Sequence, residues 1–125
     1  MKAKVLTIKE PYVTPIALGK KHYETRSWKT NYRGPIYIHT AKTVMPDPVN
    51  GCERIFPLGS IVLKANLTDC IKMDEEFIAK IKQDPDEYAF GFYEPGRFAW
   101  KLEDVEILVI PVAVKGKLGI WEVEI

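Results

Sequence analysis

The sequence predicts a small α+β domain that is mainly β: a barrel of about six short strands with two or three short helices. The length of 125 residues suits one domain spanning residues 1–125. Short strand-like runs alternate with turns that contain glycine and proline, a pattern typical of small barrels and sandwiches. Helices do not separate every pair of strands, which argues against a parallel doubly wound sheet.

The first half of the chain predicts one helix among three extended segments. These segments are expected at Lys4–Ile8, Tyr23–Trp28 and Ile36–Thr40. A helix is expected within Pro11–Leu18, with Gly19 just beyond its carboxyl end. Pro15 would remove an interior hydrogen bond from a helix that began at Pro11, so the helix should be short, begin late or be kinked.

The second half predicts a loop at residues 43–59, one helix and four strands. The strands are expected at Ser60–Thr68, Phe98–Leu102, Val105–Val114 and Ile120–Ile125. Asp74 should begin the helix, because acidic residues follow it directly and lysines come one to two turns later. Pro85 should end it. The expected core positions of these strands are Leu63, Leu67, Ile107, Val109 and Val112.

The composition favours a cytoplasmic globular domain without membrane contact. Hydrophobic residues make up 46% and charged residues 28% of the chain. No apolar run approaches the roughly 18 residues that span a bilayer, and no signal-peptide pattern follows Met1. Cys52 and Cys70 form no CxxC pair and match no histidine set, so we expect packing roles for them, and neither a metal nor a cofactor.

Positive charge is concentrated in the first third of the chain. Residues 1–42 hold nine basic and two acidic side chains, a net charge of +7. Residues 43–125 hold nine basic and fifteen acidic side chains, a net charge of −6. This asymmetry favours an anionic partner for the basic part. The alternative is that folding mixes the two parts into one neutral surface.

The segment 19–28 (GKKHYETRSW) combines charges with an aromatic ring. In an extended strand Glu24, Arg26 and Trp28 share one face, whereas Thr25 points to the other. The carboxylate can accept hydrogen bonds from a base, the guanidinium can bind phosphate, and the indole can stack on a base. From spacing alone, a surface Glu–Arg pair beside a packed Trp explains the segment equally well.

The spacing of Gly19, Lys21, Glu24 and Arg26 resembles the GxKxxExR signature of the ASCH domain family. Four further blocks are similar to the family and follow in order along nearly the whole chain: Leu6–Tyr12, Asn31–Lys42, Tyr93–Trp100 and Lys115–Trp121. The chain departs from the family pattern at Glu10 and Tyr12, where Gln and Trp are common, and at Pro15 inside the helix.

The resemblance implies a PUA-like β-barrel whose cleft is lined by Lys21, Glu24 and Arg26. It also implies binding of RNA or DNA, so we expect a module that binds nucleic acid, RNA in particular, or a single nucleoside or base. The expected ligand-binding residues are Lys9, Lys21, Glu24, Arg26, Trp28, Tyr32, Arg33, Lys42, Tyr93 and Arg97. Further phosphate contacts are expected from Lys20, Lys29 and Lys117.

Two other functions stay open. One is hydrolysis of RNA or a modified nucleoside, with Lys21 and Glu24 transferring protons. A bacterial branch with a similar barrel hydrolyses N4-acetylcytidine with a threonine nucleophile at the position of Glu24, and the carboxylate here argues against that chemistry. For a ribonuclease, His22 is expected to be solvated and His39 half-buried and structural. The other function is a protein-interaction domain with an idle pocket. The sequence fixes no oligomeric state.

Overall fold

The computed structural model describes residues 1–45 and 53–125 of the chain. Within them, six strands and three short helices follow in the order β1 (Lys2–Ile8), α1 (Thr14–Ala17), β2 (Tyr23–Arg26), β3 (Gly34–Thr40), β4 (Ser60–Lys72), α2 (Glu75–Ile81), α3 (Pro85–Ala89), β5 (Phe98–Ala113) and β6 (Ile120–Glu124). The predicted class, α+β and mainly β, is confirmed. Cys52 and the middle of the predicted loop at 43–59 lie outside the described residues.

The six strands form one sheet in the order β2-β5-β4-β3-β1-β6, which curls into a half-barrel. Neighbouring strands are antiparallel except β1 and β3, which run parallel. A parallel pair requires a crossover connection, and here α1 and β2 lie within it. Because β1 and β3 run in the same direction, their carboxyl ends meet at one end of the sheet, where Ile8 pairs with Thr40.

Pro15, which the sequence placed inside a helix, and Pro85, which it placed at a helix end, both occupy first turns. Pro15 lies at the start of α1, which is only four residues long, so its missing N–H costs no interior hydrogen bond. Pro85 follows α2 but also begins a separate helix, α3, where the Asp84 carboxylate accepts a hydrogen bond from the backbone N–H of Glu87 at 3.2 Å. The predicted single helix is therefore followed by a second one.

The two strands predicted at Phe98–Leu102 and Val105–Val114 are one continuous strand, β5. The connecting residue Asp104 has a φ of 54°, and the strand continues through it instead of ending. The extended segment predicted at Tyr23–Trp28 ends earlier, at Arg26, so Trp28 lies outside β2.

The core prediction is correct for β4 and wrong for the middle of β5. Leu63 and Leu67 are buried, whereas Ile107 is 54% exposed and Val109 is 97% exposed. Ile61 pairs with Val112 and Leu63 pairs with Ile107, so an advance of two residues along β4 corresponds to five residues along β5. The extra residues form a bulge, and a bulge breaks the in-out alternation on which the prediction rested. Val112 is half-buried and packs against the cluster around Trp121.

No helix within residues 1–45 and 53–125 is long and apolar enough to cross a membrane.

Candidate functional site

The carboxyl end of β1 leads into a buried carboxylate that organises the start of α1. Glu10 is fully buried, and its Oε1 accepts hydrogen bonds from the backbone N–H groups of Val13 at 2.9 Å and Thr14 at 2.8 Å. Its Oε2 accepts a third hydrogen bond, from the Thr14 hydroxyl, at 2.6 Å. These bonds satisfy donors that a helix start leaves unpaired. Glu10 therefore supports the helix.

Gly19 ends α1 and turns the chain so that Lys21 enters the protein. Gly19 has a φ of 76°, a conformation that glycine adopts without strain. The backbone N–H of Lys21 then donates back to the carbonyl oxygen of Pro15 at 3.1 Å. The Lys21 side chain is 1% exposed, so the turn at Gly19 places the Lys21 ammonium group inside the fold.

Lys21, Glu24 and Arg26 form one connected cluster. Glu24 Oε2 lies 3.0 Å from Arg26 Nη2, and Glu24 Oε1 lies 3.6 Å from Lys21 Nζ. Arg26 Nη2 also donates to the backbone carbonyl oxygen of Thr7 at 2.8 Å, which ties β2 to the end of β1. The Arg26 Nε atom is buried and has no hydrogen-bond partner within the described part of the chain.

Burial lowers the pKa of Lys21 below its ordinary value, because a buried ammonium loses its hydration. Glu24 and Glu87 oppose this shift by attracting the positive charge. Lys21 Nζ donates to the carbonyl oxygen of Phe90 at 2.5 Å and lies 5.6 Å from the centre of the Tyr12 ring. A buried ammonium with one strong hydrogen bond and a carboxylate nearby can both bind an acceptor and take part in proton transfer.

A cavity of about 530 Å³ opens beside this cluster, at the end of the sheet where β1 and β3 finish. Its lining residues come from β1 and β2, from the segments that follow β1, α1, β2 and β3, from the loop after α3 and from the loop before β6. They are Thr7, Ile8, Lys9, Tyr12, Lys21, Glu24, Thr25, Arg26, Ser27, Trp28, Ala41, Met45, Phe90, Gly91, Phe92, Arg97, Lys117, Leu118 and Gly119. The three charged residues of the cluster therefore lie together in one hollow.

Three cations and three large apolar side chains line the outer part of the cavity, and we call this set the rim. It consists of Lys9, Trp28, Phe92, Arg97, Lys117 and Leu118. Phe92 and Leu118 are 58% and 98% exposed, and Trp28 is 39% exposed while packing edge-on against Trp100. The Arg97 guanidinium lies 4.4 Å above the Phe92 ring and so positions it. The rim thus offers both positive charge and flat apolar faces to solvent.

Comparison with known proteins assigns the family. The sequence profile described as "ASCH domain" matches residues 6–110. The chain belongs to the ASCH domain family. It is also 24% identical over 136 residues to activating signal cointegrator 1 of Homo sapiens, an alignment covering 95% of this chain and 22% of that protein. The chain therefore spans about a fifth of that relative. Family membership points to nucleic-acid interaction in general terms.

Four of the ligand-binding residues predicted for this ASCH domain do not line the cavity. They are Tyr32, Arg33, Lys42 and Tyr93. The Tyr32 hydroxyl donates to the Pro35 carbonyl oxygen at 2.5 Å, and Arg33 donates to the carbonyl oxygens of Thr30 and Tyr32. These side chains stabilise the turn before β3.

Lys42 and Tyr93, the other two predicted residues that do not line the cavity, lie next to it. The aliphatic part of Lys42 packs beside Gly59, so that side chain follows the loop after β3. Tyr93 is buried behind the cavity wall, and its hydroxyl lies 3.4 Å from Glu87. Of the predicted phosphate contacts, Lys20 and Lys29 are exposed and do not line the cavity, although each is adjacent in the chain to a lining residue, whereas Lys117 belongs to the rim.

Thr25, which was expected on the opposite face of β2 from Glu24, also contributes to the site. Thr25 lines the cavity, because the loop after α3 folds over β2 and the backbone N–H of Phe92 donates to the Thr25 hydroxyl at 3.0 Å. Both faces of β2 thus contact the surroundings of the cavity. Alternation within one strand cannot predict a loop that closes over its other face.

Glu87 is a buried residue next to the site, and no sequence pattern singled it out. Its carboxylate accepts hydrogen bonds from the backbone N–H of His22 at 2.9 Å and of Tyr23 at 3.3 Å. It also lies 2.7 Å from His22 Nδ1. With Tyr93 as a further partner, Glu87 joins α3 to the start of β2. Burial, with the Glu87 charge as the second cause, raises the pKa of Tyr93.

The two histidines of this ASCH domain lie apart from the cavity lining. His22 has an exposed ring, as expected, but is held by Glu87. His39 was expected to be half-buried and is fully buried, with its Nε2 2.6 Å from the carbonyl oxygen of Val114 and its Nδ1 3.1 Å from the Thr7 hydroxyl. Its contacts join β3 to β1 and to the segment before β6. Within residues 1–45 and 53–125, no three His, Cys, Asp or Glu side chains are grouped so that they could hold a metal ion.

Proposed function

We propose that this ASCH domain binds nucleic acid, RNA in particular, and holds one base or nucleotide in the cavity. The observation that carries the proposal is the combination of a cavity of about 530 Å³, polar groups fixed inside it, and a cationic and aromatic rim around it. Each of the three parts matches one chemical part of a nucleotide: the polar edge of the base, its flat face and its phosphate.

The interior groups suit the polar edge of a heterocyclic base. Glu24 is an acceptor for N–H groups, whereas Lys21 and the unpaired Arg26 Nε are donors for a carbonyl oxygen or a ring nitrogen. Unpaired bases present such alternating donors and acceptors to RNA-binding proteins. Because the donor and the acceptor are held by neighbouring side chains, a base has to match both of them, which provides selectivity.

The rim suits a strand that continues out of the cavity. Lys9, Arg97 and Lys117 can neutralise phosphates, a contribution that weakens as salt concentration rises. Trp28 and Phe92 present flat faces, and stacking on such rings is worth about 1–3 kcal/mol per base. Phosphate contacts would supply affinity, while the interior groups would supply discrimination among bases.

The test compares binding of short single-stranded RNA, DNA of the same sequence, and free nucleosides at two salt concentrations. We expect salt-dependent binding of RNA, weakened at least about tenfold by Arg26→Ala, a loss of about 1.4 kcal/mol. The matched control is Lys80→Ala, because Lys80 is an exposed cation on α2 that does not line the cavity. Equal losses for the two variants would show that only overall charge matters and would overturn the base-binding proposal.

A second candidate function, hydrolysis of RNA or of a modified nucleoside, is favoured by the lowered pKa of Lys21 beside Glu24. A lysine whose pKa is lowered by burial can act as a general base. The assay is product formation from RNA and from acylated and unmodified nucleosides, with Lys21→Gln as the variant. Turnover lost in Lys21→Gln supports the hydrolase, and binding without turnover supports the binding module. If the protein neither bound nor converted these molecules, a protein-interaction domain would be the remaining alternative.

A further inference from the structure

The middle of β5 presents an apolar surface that the fold does not cover. Ile107, Val109 and Ile110 are 54%, 97% and 76% exposed, and Pro111 beside them is exposed as well. Contiguous exposed apolar side chains on a small domain often mark an interaction site. We call these four residues the β5 patch. It does not include any cavity-lining residue, so it is separate from the site described above.

The sheet holds the β5 patch in place and leaves one side of it open. Leu108 and Val112 point inward and pack against the cluster that contains Trp121, which anchors the strand on both sides of the bulge. β2 pairs only with Phe98–Lys101, so the edge of β5 beyond that range has no neighbouring strand among the described residues. The patch is therefore a fixed, exposed apolar feature beside an unpaired strand edge, the kind of surface that marks an interaction site.

Two oppositely charged residues flank the patch at equal distances from the Ile110–Pro111 bond. Glu106 lies four residues before Ile110, and Lys115 lies four residues after Pro111. Neither Glu106 nor Lys115 forms an ion pair within residues 1–45 and 53–125.

We infer that the β5 patch is the contact surface between two copies of this chain. A two-fold axis near the Ile110–Pro111 bond would set the acidic end of one patch against the basic end of the other, with the apolar side chains between them. Such an isologous contact needs a surface that is complementary to itself, and the order acid, apolar, base provides this. The net charge of +1 offers little repulsion against self-association.

The experiment measures the mass of the full chain in solution by sedimentation velocity over a wide dilution series. We expect a dimer that dissociates on dilution and that Val109→Lys weakens by about a hundredfold or more, because two ammonium groups would enter one apolar contact. The matched pair is Ile107→Lys and Ile55→Lys: both isoleucines are 54% exposed, but Ile55 lies outside the patch. Of these two variants, only Ile107→Lys should weaken the dimer.

Charge reversal tests the two-fold arrangement itself. Glu106→Lys should weaken the dimer, and adding Lys115→Glu in the same chain should restore it, because each acid then again faces a base. Circular dichroism and thermal melting of each variant check that the fold is retained. A wild-type chain that stays monomeric at every concentration, or a dimer that Val109→Lys leaves intact, overturns the inference.

Discussion

The ammonium of Lys21 lies 2.5 Å from the carbonyl oxygen of Phe90, although the two residues are 69 positions apart in the chain. Lys21 follows α1, and Phe90 follows α3, so this hydrogen bond closes the cavity between two elements that the sheet brings together. Glu87, one turn before Phe90, holds the backbone on either side of the His22–Tyr23 bond. The position and the charge of Lys21 therefore depend on α3 as much as on its own motif.

Glu87→Gln should lower the pKa of Lys21. The Glu87 charge stabilises the Lys21 ammonium, whereas an amide keeps one oxygen acceptor for the backbone N–H groups but carries no charge. The measurement is NMR titration of the Lys21 side chain in both proteins. Glu122→Gln is the control, because Glu122 is exposed and pairs with Lys4. An unchanged Lys21 titration in Glu87→Gln would contradict this coupling.

Lys21 should also make the stability of the protein depend on alkaline pH. Folding lowers its pKa below 10.5, so between the folded and unfolded values the unfolded chain binds more protons. The contribution of Lys21 to the free energy of unfolding therefore rises with pH across this window and levels off above 10.5. Urea unfolding should show this upward slope relative to Lys21→Met, in which the titrating group is gone. If the curves of unfolding free energy against pH were parallel for wild type and Lys21→Met, the prediction would be wrong.

If RNA crosses the rim, Lys117→Gln should reduce the salt dependence of its binding. Loss of one phosphate contact lowers the slope of log K against log salt by about 0.7 for a single strand. Binding isotherms at four or more salt concentrations give this slope. Lys80→Gln removes an exposed cation outside the cavity and should leave it unchanged. If Lys117→Gln had the same slope as wild type, Lys117 would not contact an RNA phosphate.

Two positions that the sequence treated alike should respond very differently to truncation. Leu63→Ala should lower the free energy of unfolding by about 2–5 kcal/mol, because it leaves a void in a closed core. Val109→Ala should change it by less than about 0.5 kcal/mol at protein concentrations low enough for the chain to be monomeric, since Val109 is 97% exposed in the single chain. Chemical denaturation of both variants checks the contrast. A large loss for Val109→Ala in the monomer would mean that another part of the same chain covers this side chain.

Local patterns predicted most of the strands, because turn residues and alternation act over a few neighbours. The strand from Ser60 and the closing strand from Ile120 begin where expected. Patterns were insufficient where a residue's role depends on a distant partner. Pro85 reads as a stop signal in sequence, but in the structure it also begins α3, because Asp84 and Glu87 complete a helix start around it.

For the site, the sequence by itself determined that a glycine turn, an ammonium, a carboxylate and a guanidinium follow one another at the spacing of Gly19, Lys21, Glu24 and Arg26. Their convergence on one cavity was decided by the tertiary structure, because β1, β2 and the loop after α3 meet only when the sheet curls. The same holds for Glu87 and for the exposed β5 patch. Burial and hydrogen bonding depend on which distant segments come together, and spacing within one segment does not contain that information.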